Sequence, residues 1–160
     1  SENNTQIGPL AKESFVKELD TQIVNSVKQG ARLVCGGSRI GSKGFYYSPT
    51  LLVDVDENMD VFKEETFGPV LCIIKSKDHD DALRLANKSE FGLSSSIWTS
   101  CADKGKYFSD NINTGAVFVN EMSKSDPRLP FGGINKSGYG RELSDFGLRE
   151  FVNVKTIYIK

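Results

Sequence analysis

The sequence predicts an α/β fold, with helices layered on a mostly parallel β-sheet. Three observations carry that expectation. Segments with apolar residues at helical spacing alternate with short runs of apolar and β-branched residues, the pattern of strand–helix–strand units. Most glycines and prolines fall between these segments, where the chain must turn. A length of 160 residues is enough to bury roughly 70% of the unfolded surface around one core, and no repeat, low-complexity tract or linker divides it.

The elements follow in order. Residues 10–29 place Phe15, Val16, Leu19, Ile23, Val24 and Val27 on one helical face. Lys28 suits the last turn and Gly30 the stop. Residues 31–35 read as a short buried strand, followed by a glycine-rich turn over 36–44. Residues 45–55 are rich in aromatic and β-branched side chains but contain Pro49, which predicts an extended segment or edge strand. The apolar run 70–75 predicts a strand buried on both faces. A helix is expected over 80–87 and a strand over 94–99, holding the only tryptophan, Trp98. Ser100-Cys101-Ala102-Asp103 has the form of a capping box for a helix reaching Ile112. Residues 116–119 form another apolar strand, 121–140 a loop and 142–151 a helix. Residues 152–159 alternate as a last strand, placed either at an edge of its own sheet or against another chain.

Charge and composition narrow the function. A net charge of −1 leaves no electrostatic footprint for nucleic acid or an anionic membrane, and no apolar run approaches the roughly 20 residues of a membrane span. The polar start carries no signal-peptide pattern. Cys35, Cys72 and Cys101 are odd in number, and their spacing fits neither a disulfide framework nor a metal site. A reducing, cytoplasmic setting is expected. The single histidine, His79, sits among polar residues and reads as a solvated helix start.

Four glycine-rich or acidic segments are candidates for binding. Gly36–Lys43 resembles a phosphate-binding loop, but Ser42 stands where lysine is required. Gly138-Tyr139-Gly140 begins a dinucleotide fingerprint that Leu143 breaks. Lys63-Glu64-Glu65-Thr66-Phe67-Gly68-Pro69-Val70 is more telling. The Glu65 carboxylate can accept from both hydroxyls of a ribose, and the Phe67 ring can pack on a flat heterocycle. Gly68-Pro69 would fix the turn that holds them. Alternatively, Glu64 and Glu65 are a solvated helix end and Phe67 is core. The segment 129–142, with Phe131-Gly132-Gly133 and Gly138-Tyr139-Gly140-Arg141-Glu142, reads as a tightly folded loop against a pocket or as an ordinary structured loop before a helix. On the latter reading Arg141 and Glu142 form a local ion pair of little consequence.

Taken together, these motifs resemble the C-terminal part of the aldehyde dehydrogenase superfamily. Ile7-Gly8-Pro9-Leu10, Glu65-Thr66-Phe67-Gly68-Pro69-Val70, Phe91-Gly92-Leu93-Ser94, Gly115–Asn120, the Phe-Gly-Gly loop and Gly-Xaa-Gly-Arg-Glu occur in the family's order. The resemblance implies an aldehyde dehydrogenase catalytic-domain fold, with residues 1–151 forming its C-terminal part and 152–160 a terminal oligomerisation strand that joins subunits. It implies an enzyme that oxidises a small aldehyde to its acid with NAD or NADP. By the same resemblance Glu65 binds the nicotinamide ribose, Phe67 lies beside the nicotinamide, and Phe131 lines the aldehyde tunnel.

The loop Ser123-Lys124-Ser125-Asp126-Pro127-Arg128-Leu129-Pro130 resembles the succinate-semialdehyde dehydrogenase branch. Ser125 and Arg128 would hold the distal carboxylate; alternatively Arg128 is a structural loop residue. Asn135 stands where the family usually has lysine. The resemblance also implies that the nucleophilic cysteine, the general base and the cofactor domain lie upstream. None of the three cysteines matches that nucleophile, so no catalytic residue is expected among these 160 residues. The chain on its own is expected to be inactive, or to act as an oligomerisation module.

Overall fold

The computed structural model describes residues 5–160. It forms two compact units, the first ending at Asp78 and the second spanning His79–Lys160.

In the first unit, helix α1 (Glu13–Lys28) turns its stripe Val16, Leu19, Gln22, Ile23 and Ser26 inward, with Glu13 and Lys28 at the ends that the helix dipole favours. Gly30, at φ +119°, ends it by donating its N–H to the Val27 carbonyl. Strands β1 (Arg32–Cys35), β2 (Arg39–Ile40), β3 (Tyr46–Tyr47) and β4 (Thr50–Val53) follow, then helix α2 (Asp60–Lys63) and strand β5 (Val70–Cys72). β2 and β3 form a small antiparallel pair. The main sheet runs β1-β4-β5. β1 is antiparallel to β4, with Arg32 opposite Val53, whereas β5 is parallel to β4, with Thr50 opposite Val70.

The sheet is therefore mixed rather than mostly parallel, and three strand expectations change with it. The 45–55 segment supplies the central strand. Pro49, lacking an N–H, stands just before the ladder, and pairing starts at Thr50, whose N–H reaches the Pro69 carbonyl at 2.8 Å. β1 is exposed along its length, Cys35 included, because the core gathers between α1 and β4 around Leu19, Ile23, Tyr47 and Leu52. β5 is buried on one face only. Val70, Cys72 and Ile74 pack on the core while Leu71 and Ile73 are 63% and 45% exposed.

The second unit contains α3 (His79–Asn87), β6 (Phe91–Gly92), β7 (Ser94–Ile97), α4 (Ala102–Asn111), β8 (Ala116–Val119), β9 (Ile134–Asn135) and α5 (Ser144–Arg149). β7 and β8 are parallel, in register from Ser94–Ala116 to Ile97–Val119, and α4 makes the crossover between them. Gly105 is buried in α4, where a Cβ would lie 3.2 Å from Val119, so the helix rests closely on β8. The Asn87 side chain ties the end of α3 to the turn after α4, donating to the Asn111 carbonyl and accepting from the Asn113 N–H. His79 is exposed at the start of α3, as expected, with its ring edge-on to Phe108.

The capping box does not form. Cys101, not Ser100, is the N-cap of α4 and makes no side-chain cap bond. Thr99 Oγ1 accepts the Cys101 N–H instead, and Asn120 Oδ1 accepts that of Thr99, so neighbouring strand-end residues set the helix entry. The closing helix is α5, shorter than expected. Residues 152–159 enter no ladder among the described residues, and Val154, Ile157, Tyr158 and Ile159 are exposed. All fully buried hydrophobic side chains among the described residues fall between Val16 and Val61. No helix among them is long and apolar enough to cross a membrane.

Candidate functional site

The Glu65 segment leaves α2 and is folded by its own backbone. Gly68 N–H donates to the Thr66 carbonyl at 2.9 Å and Val70 N–H to the Gly68 carbonyl at 2.8 Å, two successive three-residue turns. A Cβ on Gly68 would lie 2.4 Å from Leu19 Cδ1 in the core, so only glycine lets the turn sit this close to α1. Gln22 of α1 donates from Nε2 to Glu64 Oε2 at 2.9 Å and to the Glu65 carbonyl at 3.2 Å.

The Glu65 side chain is exposed, and no described residue engages its carboxylate. Phe67 is not core: its ring is 58% exposed and packs obliquely on Phe15 at 5.4 Å. The Lys12 ammonium lies 4.5 Å over the Phe15 ring. A recess of about 300 Å³ opens between Pro9, Leu10, Phe15 and the Thr66–Gly68 turn. An unengaged carboxylate on an anchored backbone, beside an exposed ring, fits one end of a nucleoside: the acid accepts from ribose hydroxyls and the ring meets a flat base.

In the second unit, Phe131 and Glu142 exchange backbone hydrogen bonds of 2.9 and 2.8 Å, an isolated antiparallel bridge that closes the glycine loop into a ring. A Cβ on Gly115 would lie 1.8 Å from the Gly132 carbonyl oxygen, so the start of β8 presses directly on the loop backbone. Arg141 does not pair with Glu142. Its Nη1 donates to the Gly133 and Gly140 carbonyls at 2.9 and 2.6 Å, joining the two glycine arms. Asn135 takes a left-handed φ of 54°, which asparagine tolerates better than most residues. Lys136 next to it forms an ion pair with Glu90 and donates its N–H to the Glu90 carbonyl. Phe131 is half-buried and lines a recess of about 380 Å³ with Leu93, Glu142, Glu150 and Phe151.

Ser125 and Arg128 sit on the exposed stretch ahead of that ring. Asp126 organises it, accepting the Arg128 backbone N–H at 2.9 Å and its guanidinium side-on, from Nε at 3.0 Å and Nη2 at 2.7 Å. The Arg128 guanidinium holds the Asp126 carboxyl well below the usual carboxylate range. Among the described residues nothing accepts from Arg128 Nη1, so the end-on edge of the guanidinium is presented outward. Arg128 does not line the recess at Phe131. Glu65 and Phe67 thus share the first unit, and Ser125, Arg128 and Phe131 the second.

Sequence reasoning missed Gln22, Asp126 and the task of Arg141. Gln22 had a signal, a polar residue on the apolar stripe of α1. So did Asp126, two positions before an arginine across a proline. The three cysteines are free thiols and line neither recess. Burial pushes the Cys72 thiol up, away from the reactive thiolate. Among the described residues no group of three or more His, Cys, Asp or Glu is placed to hold a metal ion.

The sequence profile of the aldehyde dehydrogenase family matches residues 1–157. The chain belongs to that family. The NADP(+) succinate-semialdehyde dehydrogenase 1 of Mycobacterium ulcerans is 43% identical over 155 residues, covering 97% of this chain and 34% of the relative. Lactaldehyde dehydrogenase from Escherichia coli superimposes with a TM-score of 0.95 at 31% identity, over 99% of this chain and 33% of that one. Succinate-semialdehyde dehydrogenase from Burkholderia pseudomallei does so with a TM-score of 0.89 at 34% identity, over 94% and 31%. The chain spans about a third of the length of the aldehyde dehydrogenases it matches.

Proposed function

We propose that this chain forms the C-terminal part of the catalytic domain of an NAD(P)-dependent aldehyde dehydrogenase that oxidises succinate semialdehyde, or an aldehyde of like shape and charge, to its acid. The observation that carries the reading is the Glu65 segment: a carboxylate with no partner among the described residues, on a backbone bolted to α1, next to the exposed ring of Phe67. Glu65 would accept from the nicotinamide ribose, and Phe67 would limit where the ring can lie. NAD or NADP supplies the hydride acceptor when bound. Phe131 would face the aldehyde as an apolar wall that excludes water. Ser125 and the end-on edge of Arg128 would hold a distal carboxylate; the 43% identity to a succinate-semialdehyde dehydrogenase supports that substrate class.

By itself the 160-residue chain is proposed to be inactive, since none of its cysteines lies beside Phe131 or Phe67. The test is a hybrid enzyme in which this sequence replaces the corresponding third of the Mycobacterium ulcerans relative. Glu65→Gln in that hybrid is expected to raise the NADP KM by about tenfold, the worth of one charge-assisted hydrogen bond, with the melting temperature unchanged. Unchanged kinetics would remove the role of Glu65, and turnover by the isolated chain would refute its inactivity.

A second reading has its own observation. The exposed apolar residues of 152–159 enter no ladder among the described residues, which favours pairing with another subunit. A strictly monomeric mass in solution would count against it.

A further inference from the structure

Gln22 is the one large polar side chain on the buried stripe of α1, 8% exposed. Its two ends are treated unequally. The Nε2 end donates twice, to Glu64 Oε2 and to the Glu65 carbonyl. The Oε1 end is buried with no hydrogen-bond partner among the described residues. An unsatisfied buried acceptor costs stability, and a methionine or leucine of similar size would fill the site without that cost. Stability of the core is thus a poor account of a glutamine here. What glutamine alone supplies is a forked donor aimed at two consecutive residues.

That fork distinguishes two adjacent glutamates by what it takes from each. Glu64 has its carboxylate tied to Gln22. Among the described residues Glu65 is engaged at its main-chain oxygen and not at its carboxylate, which fixes where the Cα–Cβ bond points. We infer that Gln22 is a positioning residue for Glu65: it sequesters Glu64 and orients Glu65, so that one carboxylate of the pair, and not the other, meets the cofactor ribose. The inference rests on the proposed role of Glu65 only in its last step; the orientation is a property of this chain.

Gln22→Met separates positioning from stability, since it removes both donors and the orphan acceptor while keeping the volume. In the 160-residue chain, the backbone order parameters of Glu65, Thr66 and Phe67 are expected to fall from about 0.85, a rigid backbone, to below about 0.6, while those of α1 and β4 hold and the melting temperature stays within a few degrees. If the order parameters do not move, or if the variant melts far earlier or fails to fold, Gln22 is a staple of the fold and the inference is wrong. In the hybrid enzyme the same substitution is expected to raise the NADP KM about tenfold and leave the aldehyde KM unchanged. Loosened backbone with an unchanged NADP KM would keep the orientation by Gln22 and overturn the ribose role of Glu65, so the two failures are told apart.

Discussion

Gly115→Ala is the sharpest probe of the Phe131 ring. Gly115 does not take a left-handed φ, so by local backbone preference alone alanine should be neutral or stabilise by about 0.4–1 kcal/mol through the unfolded chain. The structure predicts the opposite sign. The new Cβ would lie 1.8 Å from the Gly132 carbonyl oxygen, 2.8 Å from its carbon and 3.2 Å from Gly133 Cα. All three are backbone atoms, so no side chain can swing away. Restoring a normal contact requires the strand or the loop to move by roughly 1 Å, and the loop is held by the Phe131–Glu142 bridge and by Arg141. Overpacking of this kind costs about 1–3 kcal/mol, which for a chain of this size lowers Tm by roughly 3–9 °C. Differential scanning calorimetry measures the loss, and amide exchange of Phe131 and Glu142 locates it: both bridging amides should exchange faster than those of β4 in the other unit. A variant that melts at or above the parent temperature would refute the close packing of β8 on the glycine ring.

Two titrations test the polar contacts. Asp126 has its folded pKa depressed by Arg128, so whatever the pair adds to stability is present above the unfolded carboxyl value and is lost as pH falls through the folded one; carboxyl NMR should find Asp126 ionised well into acid, and Arg128→Ala should raise its midpoint toward the usual aspartate range, part of the depression staying with the backbone N–H of residue 128. Tyr47 is buried and donates to Asp20 at 2.7 Å, and burial together with that carboxylate raises its pKa well above the usual phenol range. Its contribution is therefore complete below the unfolded phenol value and is lost as pH rises through the folded one. Ultraviolet titration should show Tyr47 resisting ionisation well beyond the usual phenol range, and Tyr47→Phe should cost about 1 kcal/mol.

What was legible in the sequence follows physical lines. α1 was readable because its buried stripe has the helical period, and α3, β7 and β8 because short apolar or polar periodic runs lay between clear breakers. The two-faced burial expected for 70–75 was not realised, since an unbroken apolar run states only that both faces are suited to cover, not that this chain covers them; Leu71 and Ile73 remain exposed. Cys35 misled for the same reason. The capping box failed because the helix enters one residue later than expected: Cys101 is the N-cap and its thiol makes no cap bond, while Thr99 and Asn120, brought together by β7 and β8, hold the chain just before it. At the candidate site the sequence pointed to Glu65, Phe67 and Phe131 but gave no view of what restrains them. Gln22 lies more than forty positions before Glu65, and only folding shows that they meet.

The side-on pair of Asp126 and Arg128 has one more consequence. An isolated arginine at the surface projects a monopole that draws anions from a Debye length away, about 8 Å at physiological ionic strength. With Asp126 bound along one edge, the loop instead presents a compact dipole whose field dies away within a few ångströms. An anion would feel this arginine only on arrival, so its capture would be governed by fit and not by long-range attraction, and its association rate would vary little with added salt.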